Sequence, residues 1–177
     1  MEGERIALRD LAPGDVAPYL QAFADDPDLA ATIGMEEAPS TAAARRMVRR
    51  EPHARDAGER ARFAVARLTD DAFAGVMGLH NLEWAHRRAE CGFFVVPAAR
   101  RGGLALEALR LLVGWAFATL GLTRVGMMTL PENLAAQALA ERAGFAREGV
   151  LRAYTLERGR RVDNVVFGAI AGDAAWA

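Results

Sequence analysis

Val95-Val96-Pro97-Ala98-Ala99-Arg100-Arg101-Gly102-Gly103-Leu104-Ala105 is the stretch on which the reading of this chain turns. The run before it, Glu90-Cys91-Gly92-Phe93-Phe94-Val95-Val96, has the aromatic and β-branched content of a strand buried on both faces, and Pro97 stops it. After the two glycines the spacing predicts a long helix. Leu106, Leu109, Val113, Ala116 and Leu120 recur at steps of three and four, with Glu107 and Arg110 off that stripe and Gly121 as a left-handed cap. The first N–H groups of a helix have no intrahelical partner, and the helix dipole adds partial positive charge there. Glycines let a phosphate come close to that backbone, and Arg100 and Arg101 add charge, so the turn can seat a diphosphate. The competing reading is that Gly102 and Gly103 only permit a tight turn and the arginines are solvated. No G-x-G-x-x-G is present, so this is not a dinucleotide fingerprint.

Outward from this segment the pattern gives a single domain over 1–177. Arg5-Ile6-Ala7-Leu8-Arg9 alternates as a strand. Asp15 is placed to cap a helix through Tyr19, Leu20 and Phe23 that stops before Pro27, and a second helix starts at Ser40 or Thr41 and ends near Pro52. Residues 53–61 read as a polar loop. Arg62 to Leu68 and Ala74 to Leu82 form a hairpin through Thr69-Asp70-Asp71. Beyond the long helix, Arg124 to Leu130 is a strand and Asn133 opens a helix ending at Gly144. Two last strands, Ala146 to Leu156 and Val162 to Ile170, join through Arg158-Gly159-Arg160. The order β-α-α-β-β-β-α-β-α-β-β implies an α/β fold: a mixed central sheet of about seven strands with helices on both faces.

Composition removes whole classes of chemistry. The chain has 177 residues, 52% hydrophobic and 25% charged, and its formal charge is −1, so no field of one sign is available to hold nucleic acid or an anionic membrane. All 22 basic residues are arginine, which excludes a P-loop or Schiff-base lysine. Ser40 is the only serine and stands in no G-x-S-x-G. Cys91 is the only cysteine, and its place in the alternation makes it core. His53, His80 and His86 show no zinc-ligand spacing, so no metal is expected. With no signal-peptide pattern and no apolar stretch of membrane length, the cytoplasm is the expected compartment, as a monomer or homodimer.

Arg100-x-x-Gly103-x-Ala105 resembles the [Q/R]-x-x-G-x-[G/A] acyl-CoA motif of the GNAT superfamily of N-acetyltransferases, and the surrounding text is similar to its RimJ/RimL branch, which acetylates ribosomal-protein N-termini. Glu90-Cys91-Gly92-Phe93 resembles that branch's E-[I/L]-G-[Y/F] strand. Asn133 with Ala143-Gly144-Phe145 and Glu148-Gly149 resembles its N-x-x-S…G-F…E-G block, and Asp163 through Phe167 its closing D…[Y/F] strand. The resemblance implies that acetyl-CoA lies where two parallel strands, ending near Val96 and Leu130, splay apart. Its diphosphate would take the N–H groups of Arg101, Gly102, Gly103, Leu104 and Ala105. Its pantetheine arm would pair with backbone near Phe94 and Val96, on either side of Val95. A backbone N–H on that strand would polarise the thioester carbonyl. Asn133 would contact the arm, serve as a helix N-cap, or both.

The implied acceptor is a primary amine, on a protein N-terminus or a small molecule. Direct attack needs no protein nucleophile, which suits this chain, but protons must move. Glu90 is the first candidate base, on the expectation that burial raises its pKa; the alternative is a carboxylate that binds the cationic acceptor. His80 and Glu83 stand second, His80 reading first as a structural histidine. For the acid, the family's hydroxyl position holds Ala136, leaving Tyr154 or water. The Arg45-Arg46 and Arg49-Arg50 pairs read as a solvated face, and Asp25, Asp26, Asp28, Glu36 and Glu37 as an acidic stretch beside the acceptor side. Two rival functions stay open: a CoA-binding module with little or no turnover, motivated by Ala136, and an acyltransferase using a longer acyl-CoA.

Overall fold

The structure, a computed structural model, describes residues 1–157 and 159–176; Arg158, assigned above to the last connection, lies outside the described residues. Strand β1 (Ile6–Arg9) leads through a 3₁₀ turn into helix α1 (Val16–Asp25), the four-residue helix α2 (Leu29–Thr32) and helix α3 (Thr41–Asp56). The hairpin of β2 (Ala61–Arg67) and β3 (Phe73–Glu83) follows, then β4 (Arg88–Val95), α4 (Leu104–Ala118), β5 (Arg124–Thr129) and α5 (Leu134–Ala143). A long hairpin of β6 (Ala146–Glu157) and β7 (Arg160–Ile170) ends the fold. Among the described residues, the seven strands join one mixed sheet in the order β1-β2-β3-β4-β5-β7-β6, in which only the β4–β5 pair is parallel.

Strand alternation sorts the side chains into two cores, one on each face of the sheet. Phe63, Val65, Met77, Cys91, Val125 and Phe167 point to one face and meet Leu109, Leu112, Val113 and Ala116 of α4 and Ala140 and Ala143 of α5. Ala64, Val76 and Phe94 point to the other, where α1, α2 and α3 bring Tyr19, Phe23, Leu29 and Val48. The rings of Tyr19, Phe23 and Phe94 lie 5.2 to 5.8 Å apart, centre to centre. Each fully buried leucine or valine contributes about 1.5–3 kcal/mol, so these stripes hold the helices to the sheet. Among the described residues no helix is long and apolar enough to cross a membrane.

Two local expectations change, and one short helix, α2, is added. Helix α3 does not end at Pro52 but runs to Asp56, so most of the expected 53–61 loop is helix or turn. Pro52 has no N–H to donate and costs the helix one bond. The turn beyond it is held by tertiary contacts: Ala54 is buried, and the Arg55 guanidinium pairs with Asp10 and lies 5.6 Å from the Phe63 ring centre. Asp15 stands at the start of α1 but makes no side-chain cap. Its carboxylate turns back to Arg9 (2.8 and 2.9 Å) and to the Ala12 N–H (2.7 Å). Finally, α2 has no periodic signature in so short a segment.

Candidate active site

The site begins where the sheet comes apart. Arg88, Ala89 and Glu90 pair with Arg124, Val125 and Gly126, and there the parallel ladder stops, although β4 continues to Val95 and β5 to Thr129. The gap opens into a cleft of about 1070 Å³ that passes from the α4–α5 face to the α2 side. Glu90, Phe94, Val95, Arg100, Arg101, Gly103, Leu104, Ala105 and Asn133 all line it. Val96, Gly102 and Tyr154 do not.

Backbone direction along β4 decides which groups the cleft can use. Val96 N–H donates to Ala74 O on the β3 side (2.9 Å), and a Cβ at Gly75 would fall 2.2 Å from Phe94 O, so Phe94 and Val96 are turned toward β3. Successive residues of a strand face opposite edges. Phe93 and Val95 therefore present their backbone groups to the open fork, and Val95 O already accepts from Arg100 Nε (3.1 Å). The edge expected at Phe94 and Val96 is thus shifted by one residue.

Above the fork, a 3₁₀ turn at Pro97–Ala99 carries the chain to the start of α4. Arg101 has φ +66 and Gly103 φ +77, so two left-handed residues curl the backbone before the helix begins. Such curls gather N–H groups into an anion-binding concavity. Among the described residues, no protein acceptor takes the N–H groups of Arg101, Gly102, Gly103, Leu104 or Ala105. Five adjacent donors beside a cleft are chemically suited to a diphosphate. The Arg100 guanidinium does not face that seat: it is held by Val95 O and by Asp26, which lies just past the end of α1.

Below the fork, Glu90 meets His80 across the β3–β4 ladder, Oε2 to Nε2 3.6 Å, with the two side chains 33% and 47% exposed. His80 is therefore a cleft residue and not a structural histidine of the core. The pKa expected for Glu90 has the opposite sign: its carboxyl is held below the usual carboxylate range, first by His80 and then by Asn81 and Arg88, which outweigh burial. Glu83 pairs with Arg88 outside the main cleft. Cys91 is buried as expected, and burial pushes its thiol up to about 12.

Tyr154 departs from expectation. A bulge between Leu151 and Thr155, with Ala153 at φ +52 and its N–H on Asp163 Oδ1 (2.7 Å), re-aims the strand, and Tyr154 stands 52% exposed outside the cleft. Asn133 caps α5, its Oδ1 accepting from Ala136 N (3.1 Å), and still lines the cleft. Ala136 lines it too, with no hydroxyl to offer. The Arg45, Arg46, Arg49 and Arg50 side chains are exposed, as a solvated face requires. What the one-dimensional reading missed is the far wall. Ile33 and Met35 after α2, and Thr155, Leu156 and Glu157 near the β6–β7 tip, flank the mouth of the cleft on the α2 side, beside Glu36 of the acidic stretch named above.

Comparison with known proteins agrees with this fold. Over its full length the chain is similar to an uncharacterised N-acetyltransferase of Bacillus subtilis (strain 168), YoaA: 29% identical over 170 residues, covering 96% of each chain. Among solved structures it resembles Mycobacterium smegmatis RimJ in complex with CoA-disulfide (TM-score 0.85, 23% identity, 96% of this chain and 85% of that one). It also resembles the spermidine N-acetyltransferase of Vibrio cholerae in complex with CoA and spermine (TM-score 0.81, 22% identity, 93% and 95%). The family model for the acetyltransferase (GNAT) domain matches residues 5–146, which take in the fork, the curled turn, α4 and α5 and stop at the first residue of β6; this chain belongs to the GNAT acetyltransferase family.

Proposed function

We propose that this acyltransferase binds acetyl-CoA in the β4–β5 fork and passes its acetyl group directly to the nitrogen of a primary amine, a protein N-terminus or a small molecule, arriving from the α2 side. The observation that carries this reading is the pairing of an open strand edge at Phe93 and Val95 with five unclaimed N–H groups at the head of α4. In it, Arg101 to Ala105 seat the diphosphate, the Phe93 and Val95 backbone aligns the pantetheine arm, and a β4 N–H polarises the thioester carbonyl. The Glu90 carboxylate, ionised at neutral pH, draws the cationic acceptor. The His80 imidazole, 3.6 Å from that carboxylate, relays the proton that the ammonium gives up. The amine lone pair then forms the N–C bond as the C–S bond breaks, and the N–H proton that the new amide must lose passes through water to the leaving thiolate. The acidic residues at the α2-side mouth, Glu36 and Glu157, favour a cationic acceptor, as does the likeness to the Vibrio cholerae enzyme bound to spermine.

The test is thiol release from acetyl-CoA across a panel of peptides and amines, with products identified by mass spectrometry. Glu90→Gln should lower kcat/KM for the amine by about 10- to 100-fold, the size of a lost charge-assisted contact, while acetyl-CoA binds as before. An unchanged kcat/KM would remove Glu90 from the reaction. A second reading, a CoA-binding module with little turnover, is favoured by Ala136 in the cleft and Tyr154 outside it. Tight acetyl-CoA binding with no thiol release from any amine would decide for it. Replacing acetyl-CoA by succinyl- or longer acyl-CoA in the same assay tests the acyl preference.

A further inference from the structure

We propose that Arg5, 97 residues before the glycine turn in the chain, is a positioning residue for the acyl donor: it holds the Gly102–Gly103 peptide so that the Gly103 N–H faces the diphosphate. This rests on the reading of Arg101 to Ala105 as the diphosphate seat.

Arg5 Nη1 donates to Gly102 O at 2.7 Å, and Arg5 Nε donates to Glu107 Oε2 at 3.0 Å. The Arg5 backbone N–H meets the other oxygen of Glu107 at 2.8 Å. Glu107 is in the first turn of α4, so one arginine ties the start of β1 to both the turn and the helix head. No peptide bond of the described residues is cis. In a trans peptide the carbonyl and the following N–H point in opposite directions. Gly103 lines the cleft, whereas neither Gly102 nor Arg5 does. A Gly102 carbonyl drawn to Arg5, away from the cleft, therefore turns the Gly103 N–H into it.

Arg5 has a second effect on the same seat. The Glu107 carboxylate, 16% exposed, stands one turn into α4, where its charge would oppose a bound anion. The Arg5 guanidinium neutralises it at contact distance. Opposite charges this close cancel most of each other's field on a third group. Arg5 is also packed against the turn, its Nη2 3.2 Å from where a Cβ on Gly103 would sit. Half of its side chain is exposed, so its replacement removes little packing.

The test compares two acetyl donors, acetyl-CoA and acetyl-pantetheine, the latter lacking every phosphate. Arg5→Met keeps the apolar stem and removes the fork; Arg5→Lys keeps one donor for Gly102 O. With the best amine of the panel, Arg5→Met should weaken acetyl-CoA binding by calorimetry, and lower its kcat/KM, by about tenfold, the size expected for one charge-assisted hydrogen bond. The kcat/KM for acetyl-pantetheine should stay within about twofold, and Arg5→Lys should recover part of the acetyl-CoA loss. A purely structural arginine would lower both donors equally; that result, or an unchanged acetyl-CoA affinity in Arg5→Met, overturns the proposal. Should the unsubstituted protein itself use acetyl-pantetheine as well as acetyl-CoA, the diphosphate seat fails first and this inference falls with it.

Discussion

Alanine at Gly102 and alanine at Gly103 should have opposite effects, although the two glycines are neighbours in one turn. Gly103 has φ +77, a conformation that costs an L-residue about 1–2 kcal/mol. Its new Cβ would also sit 3.2 Å from Arg5 Nη2, which must give way by a few tenths of an ångström. Gly102 is outside the left-handed region, and its Cβ would meet nothing nearer than Leu104 Cγ at 3.9 Å. There the substitution removes freedom from the unfolded chain and stabilises by about 0.4–1 kcal/mol. In a domain of this size 1 kcal/mol moves Tm by about 2–4 °C. Gly103→Ala should therefore melt about 2–8 °C lower, and Gly102→Ala at the same temperature or up to about 4 °C higher. Thermal melts followed by circular dichroism read the first difference. Calorimetry reads the second: Gly103→Ala should lose acetyl-CoA affinity, because its strain falls on the peptide whose N–H faces the cleft. If the two variants shift together, the backbone reasoning is wrong. If Gly103→Ala is strained yet binds acetyl-CoA undiminished, the turn does not hold the diphosphate.

Asp26→Ala frees Arg100 from the end of α1; as both side chains are partly exposed, stability should change by less than about 1 kcal/mol. The KM for the amine should rise several-fold, because the proposed acceptor route runs past the segment after Asp26, which lines the cleft; equal changes in both substrates would refute that link. Lowering pH should destabilise the fold only in the acid range. Glu90, Glu148 and Asp10 are held below their ordinary values by His80, Arg124 and Arg55, respectively. The folded chain thus binds protons less readily than the unfolded one. This contribution is complete above about pH 5 and is lost as pH falls through the depressed values. A Tm that stays level from pH 5 to pH 3 would contradict it. Cys91 should resist a thiol reagent at pH 8 until the protein unfolds, since its thiol is buried and pushed up to about 12. Rapid labelling of the native protein would refute that placement.

The strand, the curled turn and the helix at Val95 to Ala105 are local: proline, glycines and a three-to-four repeat act on residues a few positions away, so the order of these elements was legible in one dimension. The burial of Cys91 and the two-faced sheet followed in the same way, from alternation alone. Resemblance at four blocks in order added the family, which no periodicity could supply.

Pairing register was not legible. Whether Phe94 or Phe93 shows its backbone to the fork depends on how β4 docks on β3, since a shift of one residue exchanges the two edges. The same docking brings His80 to Glu90 and depresses a carboxyl expected to be raised. The bulge at Ala153 sent Tyr154 outward, because its cause, the Asp163 carboxylate, belongs to the neighbouring strand. The pairings of Arg5 and Asp26 gave no signal, for their partners lie 97 and 74 residues away along the chain. What the amino-acid order determined by itself was each element and the donors at a helix head, because these arise within one segment. Only the tertiary structure decided which groups share the cleft, because that depends on contacts between segments that the chain folds together from a distance.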